Sequence, residues 1–258
     1  MISLAQLISQ FDHQKPFVIP SDWLQGRTVY GGLTAALALQ SVLLSEGGAS
    51  LPPLRSASFA FVGPAVPPLT FHPRILRAGK SVTSVAVEAV SEAGAALDGF
   101  MVFGQARQSA LCYDNAKMPD VKPPSGCAVW PENVMPDFLR HFEVRQAGVA
   151  FPLAGAEAPE FLVWVRHLDA SLVDPTVALV ALADCLPPAA MNFFKAPAPI
   201  STVTWSFDVL EPAPSEGWLL MRSYGGQARD GYSAQDMEIW TESGKRLLRG
   251  RQNVTIFA

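Results

Sequence analysis

The sequence predicts an α+β fold built from two antiparallel sheets, each wrapped around a central helix. Three observations carry that expectation. Residues 33–44 and 177–186 are apolar on nearly every face and long enough for buried helices. Each stretch is followed by runs in which small polar and apolar residues alternate, the period of a half-buried strand. The helix-then-strands order occurs twice, which favours antiparallel sheets over βαβ winding.

In the first half, Tyr30-Gly31-Gly32 leads into the helix at 33–44, and Gly47-Gly48 stops it. Ser56-Ala-Ser-Phe-Ala-Phe61 reads as the next strand. Glu88-Ala-Val-Ser-Glu-Ala-Gly-Ala-Ala-Leu97 reads as a hairpin turning at Glu92 to Gly94. Between Asn115 and Pro136 the apolar periodicity breaks down among Pro119, Pro123, Pro124, Pro131 and Pro136. Prolines remove backbone donors and disfavour helix or central strand, so this stretch reads as a linker. The expected organisation is a domain at 1–115, a linker at 116–140 and a second domain at 141–258.

The second half repeats the first. Asp174-Pro175 offers an N-cap and a first-turn proline for a helix from Thr176 to about Leu186, which Pro187-Pro188 ends. Thr202-Val-Thr-Trp-Ser-Phe207 lines up with Ser56–Phe61 at an offset of 146 residues. Glu238-Ile-Trp-Thr-Glu-Ser-Gly-Lys-Arg-Leu247 lines up with 88–97 at an offset of 150. Thr34-Ala-Ala-Leu-Ala-Leu is similar to Thr176-Val-Ala-Leu-Val-Ala. Three matched segments in one order favour duplication over chance, and a sheet wrapped around a helix, twice over, is a double hotdog.

Composition narrows the function classes. The chain has 258 residues, 49% hydrophobic and 16% charged, with a net charge of −4. No Lys/Arg cluster suggests a nucleic-acid surface. No stretch reads as a signal peptide or a membrane span, and Cys112, Cys127 and Cys185 lack CxxC spacing. The expectation is a reduced, cytoplasmic protein with no metal and no cofactor, a homo-oligomer being left open.

Short motifs in matching order then point to a family. Phe142-Glu-Val-Arg145, Val163-Trp-Val-Arg166, Leu182-Ala-Asp184, Ile200-Ser-Thr-Val203 and Arg251-Gln-Asn-Val254 lie in the second half. Gly26-Arg-Thr-Val-Tyr-Gly-Gly32 and Leu76-Arg-Ala-Gly-Lys-Ser81 lie in the first. Together they resemble the acyl-CoA thioesterase II family, whose members are double hotdogs. The resemblance implies an acyl-CoA substrate and hydrolysis by a water activated by an Asp/Thr/Gln triad, here Asp184, Thr202 and Gln252. Where that family commonly has Gln after the Gly-Gly pair, this chain has Leu33.

The residues supply arguments of their own. Asp184 interrupts an apolar run at a helix end, where the macrodipole favours cations and an unpaired buried carboxylate is costly. The bland reading is a solvent-facing or turn-capping side chain. Gln252 shares its strand face with Leu248, Gly250, Val254 and Ile256, so its amide needs partners. An ordinary core amide bonded to backbone is the alternative. Thr202 lies on a face with Thr204, Ser206 and Asp208 that is polar anyway, and Ser201 is its substitute if the register slips by one.

By the offsets, the first-half counterparts are Val42 for Asp184, Ser56 for Thr202 and Val102 for Gln252, so one half lacks the carboxylate and the amide. Tyr30, Gly31 and Gly32 could offer backbone N–H groups to an oxyanion, or form only a tight turn. Arg77, Lys80, Arg222 and Arg229 are candidates for CoA phosphates. Gly231-Tyr-Ser-Ala-Gln235 fails as a nucleophile elbow, and His167-Leu-Asp169 is a weak dyad. The rival function is a non-catalytic acyl-CoA or lipid-binding module.

Overall fold

The structure, a computed structural model, describes residues 1–131, 135–148, 151–153, 155–196 and 198–257. Positions 132–134 of the expected linker, and 149–150, 154, 197 and 258 of the expected second domain, lie outside the described residues.

A short helix α1 (Leu4–Gln10) opens the chain, its start capped by a Ser3/Gln6 capping box. A small hairpin, β1 (Leu24–Gln25) and β2 (Thr28–Val29), leads into α2 (Gly31–Leu44). Then come β3 (Leu54–Phe61), β4 (Thr70–Ala78), β5 (Val82–Ser91) and β6 (Gly94–Gly104). The connecting segment ends in β7 (Ala128–Val129), followed by β8 (Phe142–Gln146), β9 (Glu160–His167) and α3 (Pro175–Ala183). The chain closes with β10 (Ile200–Val209), β11 (Leu219–Arg229), β12 (Tyr232–Thr241) and β13 (Arg246–Ile256).

Both helices are buried because they present no polar face. Ten of the fourteen residues of α2 are buried, so no side of it meets solvent along its length. It lies on β4, β5 and β6, and packs against α3. Asp174 caps α3 by accepting hydrogen bonds from the amides of Thr176 at 2.8 Å and Val177 at 3.2 Å. The helix stops at Ala183, three residues before the expected end. Pro187 cannot donate to the Ala183 carbonyl and its ring would clash there, and the residue before a proline disfavours helical ψ. Asp184 is therefore the first residue beyond the helix.

The eleven strands β3–β13 form one continuous antiparallel sheet ordered β4-β5-β6-β3-β10-β13-β12-β11-β9-β8-β7. The two hotdog sheets are joined edge to edge through β3 and β10. Reading outward from that seam, β3, β6, β5 and β4 mirror β10, β13, β12 and β11, and Ser58 pairs with Ser206 across it. The registers repeat residue by residue. Leu54–Phe103, Ala57–Met101 and Phe59–Gly99 correspond to Thr202–Val254, Trp205–Gln252 and Phe207–Gly250. Even the irregularities match, at Arg55 and Val203 and again at Ala96 and Leu247.

These registers correct two of the expected equivalences. Strand β3 matches β10 at an offset of 148 rather than 146, so Thr202 corresponds to Leu54 and not Ser56. A two-residue slip leaves every side chain on its own face, so alternation cannot detect it. In the hairpins, the second turn holds one more residue before β13, and Gln252 corresponds to Met101 rather than Val102. That one-residue slip matters more, because Met101 faces the core and Val102 faces outward.

The connecting segment also differs from a passive linker. Met118, Val121 and Cys127 cover an apolar patch of Leu162, Trp164, Leu220 and Trp240 on the face of the sheet away from the helices. The Trp164 indole donates to the Lys122 carbonyl at 2.8 Å, and Arg246 pairs with Asp114 at 2.7 Å. Within it, Ala128 and Val129 pair as β7 with β8.

Candidate active site

At the end of the sheet where β3 finishes and β10 begins, four polar groups converge on the junction of the two helices. Asp184 Oδ1 accepts a hydrogen bond from Gln252 Nε2 at 2.5 Å. Gln252 Oε1 accepts from Gln235 Nε2 at 2.5 Å, and Gln235 Oε1 accepts from the Ala189 amide at 2.7 Å. Gln252 and Gln235 are directly opposed on β13 and β12 and both are buried. Their amide orientations follow from this network of donors and acceptors.

The other side of the carboxylate faces the start of α2. The Gly32 N–H favours its charged form, and a Cβ built on Gly31 would lie 2.7 Å from Asp184 Oδ2. Only glycine permits that approach. The unfavourable field at the end of its own helix α3 is thus offset by the positive end of α2. Atoms enclose Asp184 on nearly every side, yet part of its surface stays accessible. Burial pushes its pKa up to about 7, against the Gln252 amide and the Gly32 N–H, which favour the charged form.

Tyr30 locks this geometry. Its buried hydroxyl donates to the Ala181 carbonyl of α3 at 2.9 Å, and its ring stacks on Phe138 with centroids 4.2 Å apart. Its amide is donated to the Trp23 carbonyl at 3.1 Å, so neither polar group is left for a ligand. Burial raises both the Tyr30 phenol and the neighbouring Cys185 thiol, leaving them neutral. At Gly32 a side chain would collide with the Tyr30 ring and the Ala181 carbonyl.

Thr202 is placed on this face by a bulge. The register of β10 against β13 shifts between Thr202 and Thr204, leaving Val203 unpaired. Thr202 therefore pairs with Val254 and shares the side of Gln252, while Ser201 pairs with Thr255 on the opposite side. The face expected from simple alternation with Thr204, Ser206 and Asp208 does not hold. Thr202 makes no hydrogen bond to Asp184 or Gln252 among the described residues.

Gln235 was missed in the sequence, although it carried the same signal as Gln252. Ser233, Met237 and Ile239 share its face and are buried, so an amide among them needs partners. The proposed phosphate ligands fare differently. Arg77 and Lys80 lie at the opposite end of the strands, near the β4–β5 turn. Arg222 is held by Glu160 at 2.6 Å, and Arg229 lies 3.3 Å from Asp230.

His141 and His167 take structural places. His167 Nε2 lies 2.8 Å from the Ala178 carbonyl, and burial lowers its pKa to about 4. His141 stacks on Trp23 with centroids 3.8 Å apart. No group of three or more His, Cys, Asp or Glu that could hold a metal ion occurs among the described residues. No helix among them is long and apolar enough to cross a membrane.

Comparison with known proteins agrees with this architecture. Among solved structures, a conserved protein of unknown function with hot dog fold from Alicyclobacillus acidocaldarius superposes with a TM-score of 0.84 at 22% identity, covering 93% of this chain and 92% of that one. Acyl-CoA thioesterase II TesB2 from Mycobacterium marinum gives 0.70 at 21% identity, covering 88% of each chain. The tesB protein of Mycobacterium avium gives 0.77 at 15% identity, covering 93% and 91%. These likenesses establish the fold. No curated protein matches the sequence. A family model described as acyl-CoA thioesterase N-terminal domain matches residues 19–104, and one described as acyl-CoA thioesterase C-terminal domain matches residues 115–256. With both domains matched in order over most of its length, the chain belongs to the acyl-CoA thioesterase family and is a thioester hydrolase.

Proposed function

We propose that the chain hydrolyses acyl-CoA to a fatty acid and CoA with a water molecule activated by Asp184. The observation that carries this reading is a partly accessible carboxylate with a pKa near 7, held by one amide donor and the start of a helix. A base poised near neutral pH combines a useful ionised fraction with real affinity for a proton. Asp184 takes a proton from the water as its oxygen bonds to the thioester carbonyl carbon. The tetrahedral intermediate collapses, the C–S bond breaks, and the proton on Asp184 passes to the departing thiolate. Gln252 holds the carboxylate, and Thr202, on the same face, orients the water. The Gly31 amide at the start of α2 is the donor we assign to the developing oxyanion.

Asp184→Asn keeps the size of the side chain and removes the base. We expect kcat/KM to fall by about 10²–10⁴ in that variant with the fold intact. In the wild type it should decline as pH drops through about 7, because the base must be ionised. Measuring CoA release from short, medium and long acyl-CoA substrates checks both points. Tight acyl-CoA binding with no release at any length would favour the non-catalytic binding module, and full activity in Asp184→Asn would move the chemistry elsewhere.

A further inference from the structure

We propose that Gln235 is a positioning residue that sets the polarity of the hydrogen-bond chain ending on Asp184, so that Gln252 presents its NH₂ and not its carbonyl to the carboxylate. The inference rests on Asp184 being the base. It goes further in assigning a role to a residue that never touches the reacting atoms.

A glutamine amide is nearly symmetric in shape but opposite in polarity at its two ends. Turned over, Gln252 would offer Oε1 to Asp184 and would bond only the protonated acid. Nothing in Gln252 itself prevents this. What prevents it is the group beyond it, since Gln252 Oε1 accepts from Gln235 Nε2 at 2.5 Å. Gln235 could turn over as well, but its own Oε1 accepts from the Ala189 amide at 2.7 Å. A backbone N–H can only donate. Ala189 is the first residue of a short 3₁₀ turn (Ala189–Phe193), where an amide has no partner within the turn. The one-way donor therefore orients Gln235, Gln235 orients Gln252, and Gln252 donates to Asp184. Both glutamines are buried, at 2% and 3% exposure, so water does not compete for these groups.

The first half shows that the fold does not require this chain. By strand register Gln235 and Gln252 correspond to Val85 and Met101, both fully buried and apolar. The same cross-strand position packs without polar groups there, so the pair belongs to the site and not to the sheet.

The titratable groups facing Asp184 are the Tyr30 phenol and the Cys185 thiol, both buried and neutral, and no charged side chain among the described residues bonds to the carboxylate. No charged group therefore stands between Gln235 and Asp184, and Gln252 is the side chain that links them. In Gln235→Leu, Gln252 Oε1 loses its donor, the amide is free to turn, and the ionised carboxylate loses support. We expect the acid limb of kcat/KM to move up by about one pH unit, with kcat falling about 10-fold or more and KM for acyl-CoA little changed.

Ala189→Pro supplies a second variant in case Gln235→Leu fails to fold. Proline is tolerated at the start of a helical turn, and the extended Pro188 before it already suits a following proline. It replaces the anchoring N–H with the ring Cδ, so Gln235 Oε1 loses its donor and is pushed away, and the limb should move in the same direction. The test is the kcat/KM profile from pH 5 to 9 for wild type, Gln235→Leu, Ala189→Pro and Asp184→Asn. Asp184 is also to be titrated directly, by the isotope-edited infrared band of its protonated carboxyl. An upward shift in both the profile and the infrared titration supports the inference. An unshifted or lowered titration in a folded Gln235→Leu overturns it. Retained activity in Asp184→Asn would instead overturn the assignment of the base, and the infrared titration would still report whether Gln235 acts on the carboxylate.

Discussion

Asp184 stands where two helix ends meet, and its neighbours make separable contributions to its behaviour. Gly31 leaves room for the carboxylate, since an added Cβ would sit 2.7 Å from Oδ2 and 3.4 Å from the Phe61 ring. Gly31→Ala should not lower stability through the backbone, because Gly31 opens α2 with a φ outside the left-handed region that favours glycine. It should displace the carboxylate and lower kcat/KM about 10–100-fold with little change in Tm. A parallel loss of Tm and activity would instead indicate general disruption. The raised pKa also ties stability to pH in a stated direction. Between the ordinary carboxylate pKa and about 7 the folded chain holds a proton that the unfolded chain releases. Stability from this group is thus present at low pH and declines as pH rises, by about 1.4 kcal/mol per unit. Asp184→Asn removes that dependence, so its stability advantage over wild type should be larger at pH 8 than at pH 5 in urea unfolding. Activity and stability of the wild type then respond to pH in opposite senses.

At the scale of elements, local chemistry ends and orients what hydrophobicity builds. Helix α3 has apolar side chains throughout, and its start is defined by Asp174 and its end by Pro187. Asp174→Ala removes an acceptor for two otherwise unbonded amides, and about 1 kcal/mol of stability should go with it. Urea unfolding should show the midpoint falling with the slope unchanged, while kcat/KM varies less than twofold, since the cap lies at the end of α3 away from Asp184. The bulge at Val203 acts differently, changing which face Thr202 occupies rather than how strongly β10 is held. Cap and terminating prolines were readable because both act within a few residues. The bulge was not, because an extra residue in a strand shows itself only against a partner.

Over the whole molecule, a repeated frame carries an unrepeated site. Registers on the two sides of the β3–β10 seam agree through four strands and their irregularities. The polar residues Thr202, Gln235 and Gln252 have Leu54, Val85 and Met101 as their counterparts in the first half. A lone amide in the first half would find no donor chain. Met101→Gln should therefore lower stability by about 1–3 kcal/mol without raising activity. Adding Val85→Gln should recover part of that loss, because the two amides can bond each other. Denaturation of the two single variants and the double variant measures the coupling, and strict additivity would show that the amides do not meet.

The sequence by itself determined the fold class, the two buried helices, the caps that bound α3 and the duplication. All of these follow from periodicity and from residues acting on near neighbours. It also singled out Asp184 and Gln252, because a carboxylate or an amide in an apolar run demands partners wherever those partners are. The tertiary structure decided who the partners were. Gln235 and the Ala189 amide reach Gln252 and Gln235 across distances of 17 and 46 residues, and the Gly31–Gly32 start of α2 meets Asp184 from the other half of the chain. Register also lay beyond the sequence. A slip of two residues preserves the alternating pattern, and the extra turn residue before β13 acts only through pairing. Hydrogen bonds between strands, unlike the burial of one face, are fixed when a second strand arrives.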